Sequence, residues 1–380
     1  MRFSVILAGL ATWFAFATPA LAESHGDLEQ CRFVGEISKA DQSIAACDRV
    51  LNDPKITGSS RAAALGSRCG WWWAKKDPDR ALSDCNEAIR LDPAYAAAYI
   101  NRGNVYLNKA DFERAFVDFN EAVRIDPKNA WAHTARGDFY KNKGDFEHAM
   151  ADFSEAIRLD SNYAMAYFFR SDLYKRKDDF DRAIADLNQS IRLDPNNALT
   201  YFTRGGVSYI MGDNPGALAD FTKSIQLDPN NAAAFFNRGV AYFIVGGRVA
   251  DAEADFRKAS ELNPKDAYAA LWRDIAERHN AVPSHLAEAA KQLDMTAWPA
   301  PAVRHFLGEL NSAQLLAAAD DKDPKTKLAQ SCEADFYSGE FALLKKNRQE
   351  ALRLLRLAAS GCPRRFIEST AAIAELIILR

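Results

Sequence analysis

Six cysteines, six histidines and a periodic series of arginines and aspartates are the groups in this chain able to do chemistry. The cysteines are Cys31, Cys47, Cys69, Cys85, Cys332 and Cys362. None stands in a Cys-x-x-Cys, so redox catalysis is not expected of them and cross-linking is the remaining chemistry. The histidines His25, His133, His148, His279, His285 and His305 show no metal-ligand spacing. No nucleophile motif or phosphate-cradling glycine loop accompanies them, and Gly246-Gly247 reads as a turn at a one-residue insertion. His279 and His285, six apart across a loop, read as exposed polar side chains. The chain is therefore not expected to be an enzyme, nor to carry a metal or cofactor.

The charged series explains itself by its period. Arg68, Arg102, Arg136, Arg170, Arg204 and Arg238 stand 34 residues apart without drift. Ala81, Ala115, Ala149, Ala183 and Ala217 keep the same interval until one inserted residue moves the next to Ala252, and Asp84, Asp118, Asp152, Asp186, Asp220 and Asp255 follow in step. A fixed period of this length means helical hairpins stacked in an all-α solenoid, each burying its apolar face only against its neighbours. With position 1 at Ala62, Ala96, Ala130, Ala164, Ala198 and Ala232, small residues hold position 8 (Cys69, Gly103, Gly137, Ser171, Gly205, Gly239). Large apolar ones hold position 24 (Phe119, Phe153, Leu187, Phe221, Phe256). Asp-Pro closes most units, which suggests a carboxylate capping the next helix with proline in its first turn. The arginine at position 7 and aspartate at position 23 read as an ion pair between the two helices of a hairpin, with ligand binding as the alternative.

These positions resemble the tetratricopeptide repeat, in six consecutive copies over 62–266. Residues 23–61 read as a degenerate first hairpin and 267–380 as a helical closing region ending in a further hairpin and a capping helix. In a hairpin turning near position 16, residues whose positions sum to about 32 lie level. Cys31 with Cys47, and Cys69 with Cys85, satisfy this at positions 8 and 24. Cys332 with Cys362 satisfies it at 1 and 31 when Ala351 is placed at position 20. Three disulfides within hairpins follow for an exported chain, small buried thiols being the alternative.

Export is expected from residues 1–22. Arg2 is followed by an apolar stretch from Phe3 to Ala17, then Pro19 and the small-residue cleavage site Ala20-Leu21-Ala22. A retained membrane anchor is the alternative, but the run falls short of the roughly 20 residues that span a bilayer. Glu23, not cysteine, follows the cut, so no lipid attachment is indicated. Loss of Arg2 would leave 47 basic and 51 acidic residues, a net −4 against −3 for the whole chain. Such a balance lacks the basic excess of a nucleic-acid binder. The expected compartment is the periplasm.

In the closing region helices are expected at Ala267–His279, Pro283–Leu293, Ala302–Leu310, Ser312–Ala319, Leu328–Lys345, Arg348–Ser360 and Arg364–Leu379. The last is apolar on much of its surface and is expected to be tucked in. Tyr268-Ala-Ala-Leu-Trp272, Ala297-Trp298-Pro299-Ala300-Pro301, Phe306-Leu307-Gly308, Phe336-Tyr337-Ser338-Gly339 and Phe366-Ile367-Glu368 through Glu375-Leu376 resemble the C-terminal half of NlpI-type tetratricopeptide proteins. Those are envelope adaptors that gather peptidoglycan hydrolases and a protease. The resemblance implies homodimers and protein partners, although the lipid-anchoring cysteine of that family is absent here.

In tetratricopeptide arrays the first helix of each repeat lines a concave face through positions 2, 5, 9 and 12. Here those positions supply a stripe of Trp73, Ile100, Leu107, Trp131, Met165, Phe168, Phe202, Tyr209, Phe236 and Phe243, flanked by Lys141, Lys175 and Arg176. Aromatic anchors beside cations suit an extended or helical peptide carrying acidic groups. The alternative is that the closing helices or a second copy fill the groove. Within Trp71-Trp72-Trp73, Trp71 and Trp73 are candidates for stacking on a polysaccharide such as peptidoglycan, with packing as the competing reading.

Overall fold

The computed structural model describes residues 22–32, 39–363 and 366–379. The expected export signal, apart from Ala22, lies outside the described residues. All regular elements among the described residues are helices, none long and apolar enough to cross a membrane. The chain divides into two compact units, Met1–Pro195 and Asn196–Arg380.

The first unit opens with a hairpin of α1 (Ala22–Cys31) and α2 (Ala40–Asn52). Four longer hairpins follow: α3 (Gly58–Ala74) with α4 (Pro78–Leu91), α5 (Ala96–Asn108) with α6 (Phe112–Ile125), α7 (Ala130–Asn142) with α8 (Phe146–Leu159), and α9 (Ala164–Arg176) with α10 (Phe180–Leu193). In the second unit α11 (Ala198–Ile210) pairs with α12 (Asn214–Leu227) and α13 (Ala232–Val245) with α14 (Val249–Leu262). Then come α15 (Ala267–His279), the short α16 (Leu286–Ala289), α17 (Ala300–Phe306) and α18 (Ser312–Ala318). A last hairpin of α19 (Pro324–Leu344) and α20 (Arg348–Gly361) precedes α21 (Ile367–Ile378).

The small residue at position 8 exists to admit the large one at position 24. A Cβ added at Gly103 would sit 2.7 Å from the Phe119 ring, and one at Gly137 2.7 Å from Phe153. Gly239 and Phe256 repeat the crossing in the second unit, as do Gly339 and Leu355 between α19 and α20. The first two hairpins replace this knob and hole by a covalent bond. Cys31 is joined to Cys47 and Cys69 to Cys85, with Cα atoms 4.6 and 5.5 Å apart. Cys332 and Cys362 close the third pair, so the described cysteines include no free thiol. Denatured, unreduced protein should accordingly show no titratable thiol. Reduction should cost about 3 kcal/mol for each loop of roughly 15 residues; six thiols in a colorimetric count would overturn this pairing.

The repeated arginines prove to be bolts. Arg102 grips Asp118 with two hydrogen bonds of 2.8 and 2.7 Å, and its third nitrogen reaches Asn86 on the preceding hairpin at 2.8 Å. Arg136 does the same with Asp152 and Asn120, and, in the second unit, Arg238 with Asp255 and Thr222. One guanidinium thus ties three helices together, using the planar fork that lysine lacks.

Helix ends differ from expectation in one respect. The aspartate of the Asp-Pro that closes a repeat does not cap the next helix. Asp92, Asp126 and Asp228 sit at the end of the preceding helix, where their carboxylates accept the N–H two residues on. They organise the turn, with proline inside it rather than in a helix. Helix starts are capped instead by Asn129, Asn197, Asn231 and Asp266, and within hairpins by Asp77, Asp111, Asp145, Asp179 and Asp213. Ahead of all five inner caps the chain passes through a left-handed residue, at Lys76, Ala110, Gly144, Asp178 or Gly212, and the cap's own N–H bonds back five residues to close the first helix.

Candidate functional site

In the first unit α3, α5, α7 and α9 are successive neighbours, and the expected stripe lies along them. It is thinner than the sequence suggests. Ile100 is fully buried and Met165 is 6% exposed, because position 5 of α5 and position 2 of α9 face the seam between adjacent helices rather than the open side. Trp73, Leu107, Trp131 and Phe168 remain half-buried. Trp131 leans on the cluster around Met165, and Phe168 meets Phe169 edge-on at 5.6 Å.

The flanking cations are not free for an acidic ligand. Lys141 pairs with Asp138 at 2.7 Å and also stands over the Phe169 ring. Lys175 and Arg176 share Asp172 at 2.9 and 3.0 Å. Burial pushes the Asp172 carboxyl up, but the two cations outweigh it and hold the group below its ordinary value. The face therefore presents apolar anchors between neutralised ion pairs.

In the second unit the stripe is filled by the protein's own helices. Trp272 of α15 is fully buried, stacked on Phe336 of α19 at 5.3 Å and edge-on to Phe236 and Phe243 at 6.3 and 5.6 Å. Phe243 is 2% exposed, and Tyr209 and Phe236 pack against the same core. For these three it is the alternative reading that holds: closing helices that must seat on an apolar face have covered them. Phe202, tilted on Phe221 at 5.9 Å, stays half-buried. α21 packs on α13, α19 and α20 through buried Ala371 and Ala372, yet Ile373, Ile377 and Ile378 point outward. It is tucked in on one side only.

The tryptophan triplet also sorts itself. Trp71 is fully buried and its indole donates to the Cys31 carbonyl at 2.9 Å, which removes it as a stacking surface. Trp72 lies under the Arg80 guanidinium. Trp73 is half-buried.

The C-terminal unit buries ionisable groups that spacing did not mark. His279 is exposed, as expected, yet its Nε2 lies 2.9 Å from Oε2 of the fully buried Glu340. Glu375 joins them, and burial together with the Glu340 charge lifts its carboxyl to about 7. His285 pairs with Glu277, which is 1% exposed and also takes Arg273. Elsewhere in this unit Glu333 accepts from the Trp298 indole at 2.7 Å and from Tyr268 at 3.3 Å. No single short sequence window holds His279, Glu340 and Glu375, or Glu333 with Trp298 and Tyr268, because their members arrive from different elements.

The tetratricopeptide repeat family matches residues 96–129, 132–163, 164–197 and 205–246. Among solved structures, Pseudomonas aeruginosa pilF is 21% identical, with a TM-score of 0.51, covering 58% of this chain and 99% of that one. An APC/C hetero-tetramer chain is 18% identical at a TM-score of 0.55, covering 74% of this chain and 54% of its own. YrrB, described as a tetratricopeptide protein with an unusual peptide-binding site, is 25% identical over 49% of this chain and 95% of its own, at a TM-score of 0.40. The fold is that of stacked tetratricopeptide helix pairs followed by a helical C-terminal region.

Proposed function

We propose that this chain is an exported scaffold that holds protein or peptide partners on the α3–α5–α7–α9 face, by binding alone and without bond chemistry. The observation that carries the reading is the run of half-buried Trp73, Leu107, Trp131 and Phe168 on successive helices, interleaved with the Asp138–Lys141 and Asp172–Lys175 pairs. Aromatic anchors of this kind dominate interface energetics. With both lysines already neutralised, the favoured guest is an apolar-anchored peptide of mixed charge rather than a strongly acidic one.

Three hairpin disulfides suit an oxidising compartment, which agrees with the periplasmic export read from residues 1–22. Within that compartment the NlpI-type resemblance points to peptidoglycan hydrolases or a protease as partners. The polysaccharide reading keeps only Trp73 of its two candidates. A homodimer is the second reading, favoured by the outward Ile373, Ile377 and Ile378; a monomer by light scattering would remove it.

The test is capture of identified partners from envelope extract by the purified chain. Replacing Trp131 and Phe168 together with alanine should reduce recovery of murein hydrolases or protease by at least about tenfold, given about 2 kcal/mol or more for an anchor pair. Undiminished capture by the folded double variant would discard this face. Retention on purified peptidoglycan with no protein partner would favour the polysaccharide reading.

A further inference from the structure

We propose that His279, Glu340 and Glu375 form a binding site for one divalent transition-metal ion of the zinc type, linking α15, α19 and α21. The three side chains each offer a ligand atom, and these atoms lie within 4.8 Å of one another. Two donors on a tetrahedral zinc stand roughly 3.3 Å apart, given metal–ligand bonds of about 2.0–2.2 Å. The His279–Glu340 separation of 2.9 Å is close to that, and the remaining gap is within reach of a glutamate side-chain rotation.

Burial and charge argue for a ligand. Glu340 is fully buried, and while its Oε2 meets His279, its Oε1 is buried with no hydrogen-bond partner. An orphaned carboxylate oxygen in an apolar setting is costly. Glu375 is 5% exposed and brings a second carboxylate to the same place. With both glutamates ionised and the imidazole neutral, the forms that bind a metal, the trio carries two formal negative charges. A divalent ion coordinated by neutral imidazole and two carboxylates balances that charge, and this donor set suits zinc, manganese or iron better than calcium or magnesium. The Phe243 ring packs edge-on against His279 at 5.5 Å and shields one side. The imidazole keeps 23% of its surface exposed, which leaves an entry path and room for a water ligand.

Such an ion would pin the terminal helix. Glu375 belongs to α21, which otherwise sits on α13, α19 and α20 through alanines and a few larger apolar groups. A metal bond to α15 and α19 would add a specific tether to that seat.

The test uses the full chain stripped with EDTA and then titrated with zinc sulfate. One equivalent should bind, the thermal midpoint should rise, and cobalt substituted for zinc should develop d–d absorption of a nitrogen–oxygen site. Glu375→Gln and His279→Gln should each weaken zinc binding by at least about tenfold, the range reached even by losses around a metal's ligands. Circular dichroism would confirm that each variant folds, and either one suffices if the other does not. No uptake by stripped wild-type protein, or uptake and cobalt absorption unchanged in a folded variant, would overturn the site.

Discussion

Replacing Trp272 with alanine should destabilise the C-terminal unit by about 3–5 kcal/mol, one of the two largest effects expected in this chain. The indole is fully buried and touches rings from three other elements: Phe236 and Phe243 on α13, Phe256 on α14 and Phe336 on α19. Removing it opens a cavity where rigid aromatic edges meet, and such a wall collapses poorly. The loss falls where the closing helices seat on the repeats, so Tyr209 and Phe236 should become accessible together. Urea unfolding followed by circular dichroism, with hydrogen exchange to assign the unit, measures it. A shift of under about 1 kcal/mol would show that the closing helices seat without this contact, since surface changes rarely exceed about 0.5 kcal/mol.

The second large effect comes from the repeated ion pairs, and it should differ between copies. Asp118 is 2% exposed, and its ion-pair partner among the described side chains is Arg102. Arg102→Ala should cost about 3–5 kcal/mol, because it leaves a buried charge uncompensated. Arg136→Ala should cost less at neutral pH, since Asp152 keeps a contact of 3.1 Å with His133. That remaining support depends on pH. The hydrogen bond to Asp152 is the main reason the His133 value is raised, partly offset by burial. A raised folded value means the contribution is complete below the unfolded value of about 6.5 and fades as pH climbs through the folded one. Arg136→Ala should therefore lose further stability as pH rises above about 6.5, and adding His133→Gln should erase that step. Equal losses for the two arginine variants, with no step, would mean that His133 plays no supporting part.

Much of the local structure could be read from the chain because a repeat reports the same constraint many times. Gly103 opposite Phe119, Arg102 opposite Asp118 and Cys69 opposite Cys85 follow from one hairpin geometry, which also placed Cys332 against Cys362 far downstream. The start and end of α15 could be read as well, since Asp266 caps it and its apolar positions keep helical spacing. The Asp-Pro that closes a repeat reads either way, because an aspartate can close one helix or open the next, and only the backbone path decides which. Asn129, Asn197 and Asn231 carry the capping signal at those helix starts.

Periodicity and residue size settled the hairpins and their internal pairings, since each depends on neighbours within one or two repeats. Which apolar residues stay open depended on folding in three dimensions. Phe243 and Leu107 both hold position 12 of their repeats, yet Phe243 lies under Trp272 while Leu107 remains half-buried. The gathering of His279, Glu340 and Glu375 likewise needed α15, α19 and α21 to meet, although 96 residues separate the first from the last. Local spacing cannot report such meetings, because burial is a property of surfaces brought together and not of the order in which they are joined.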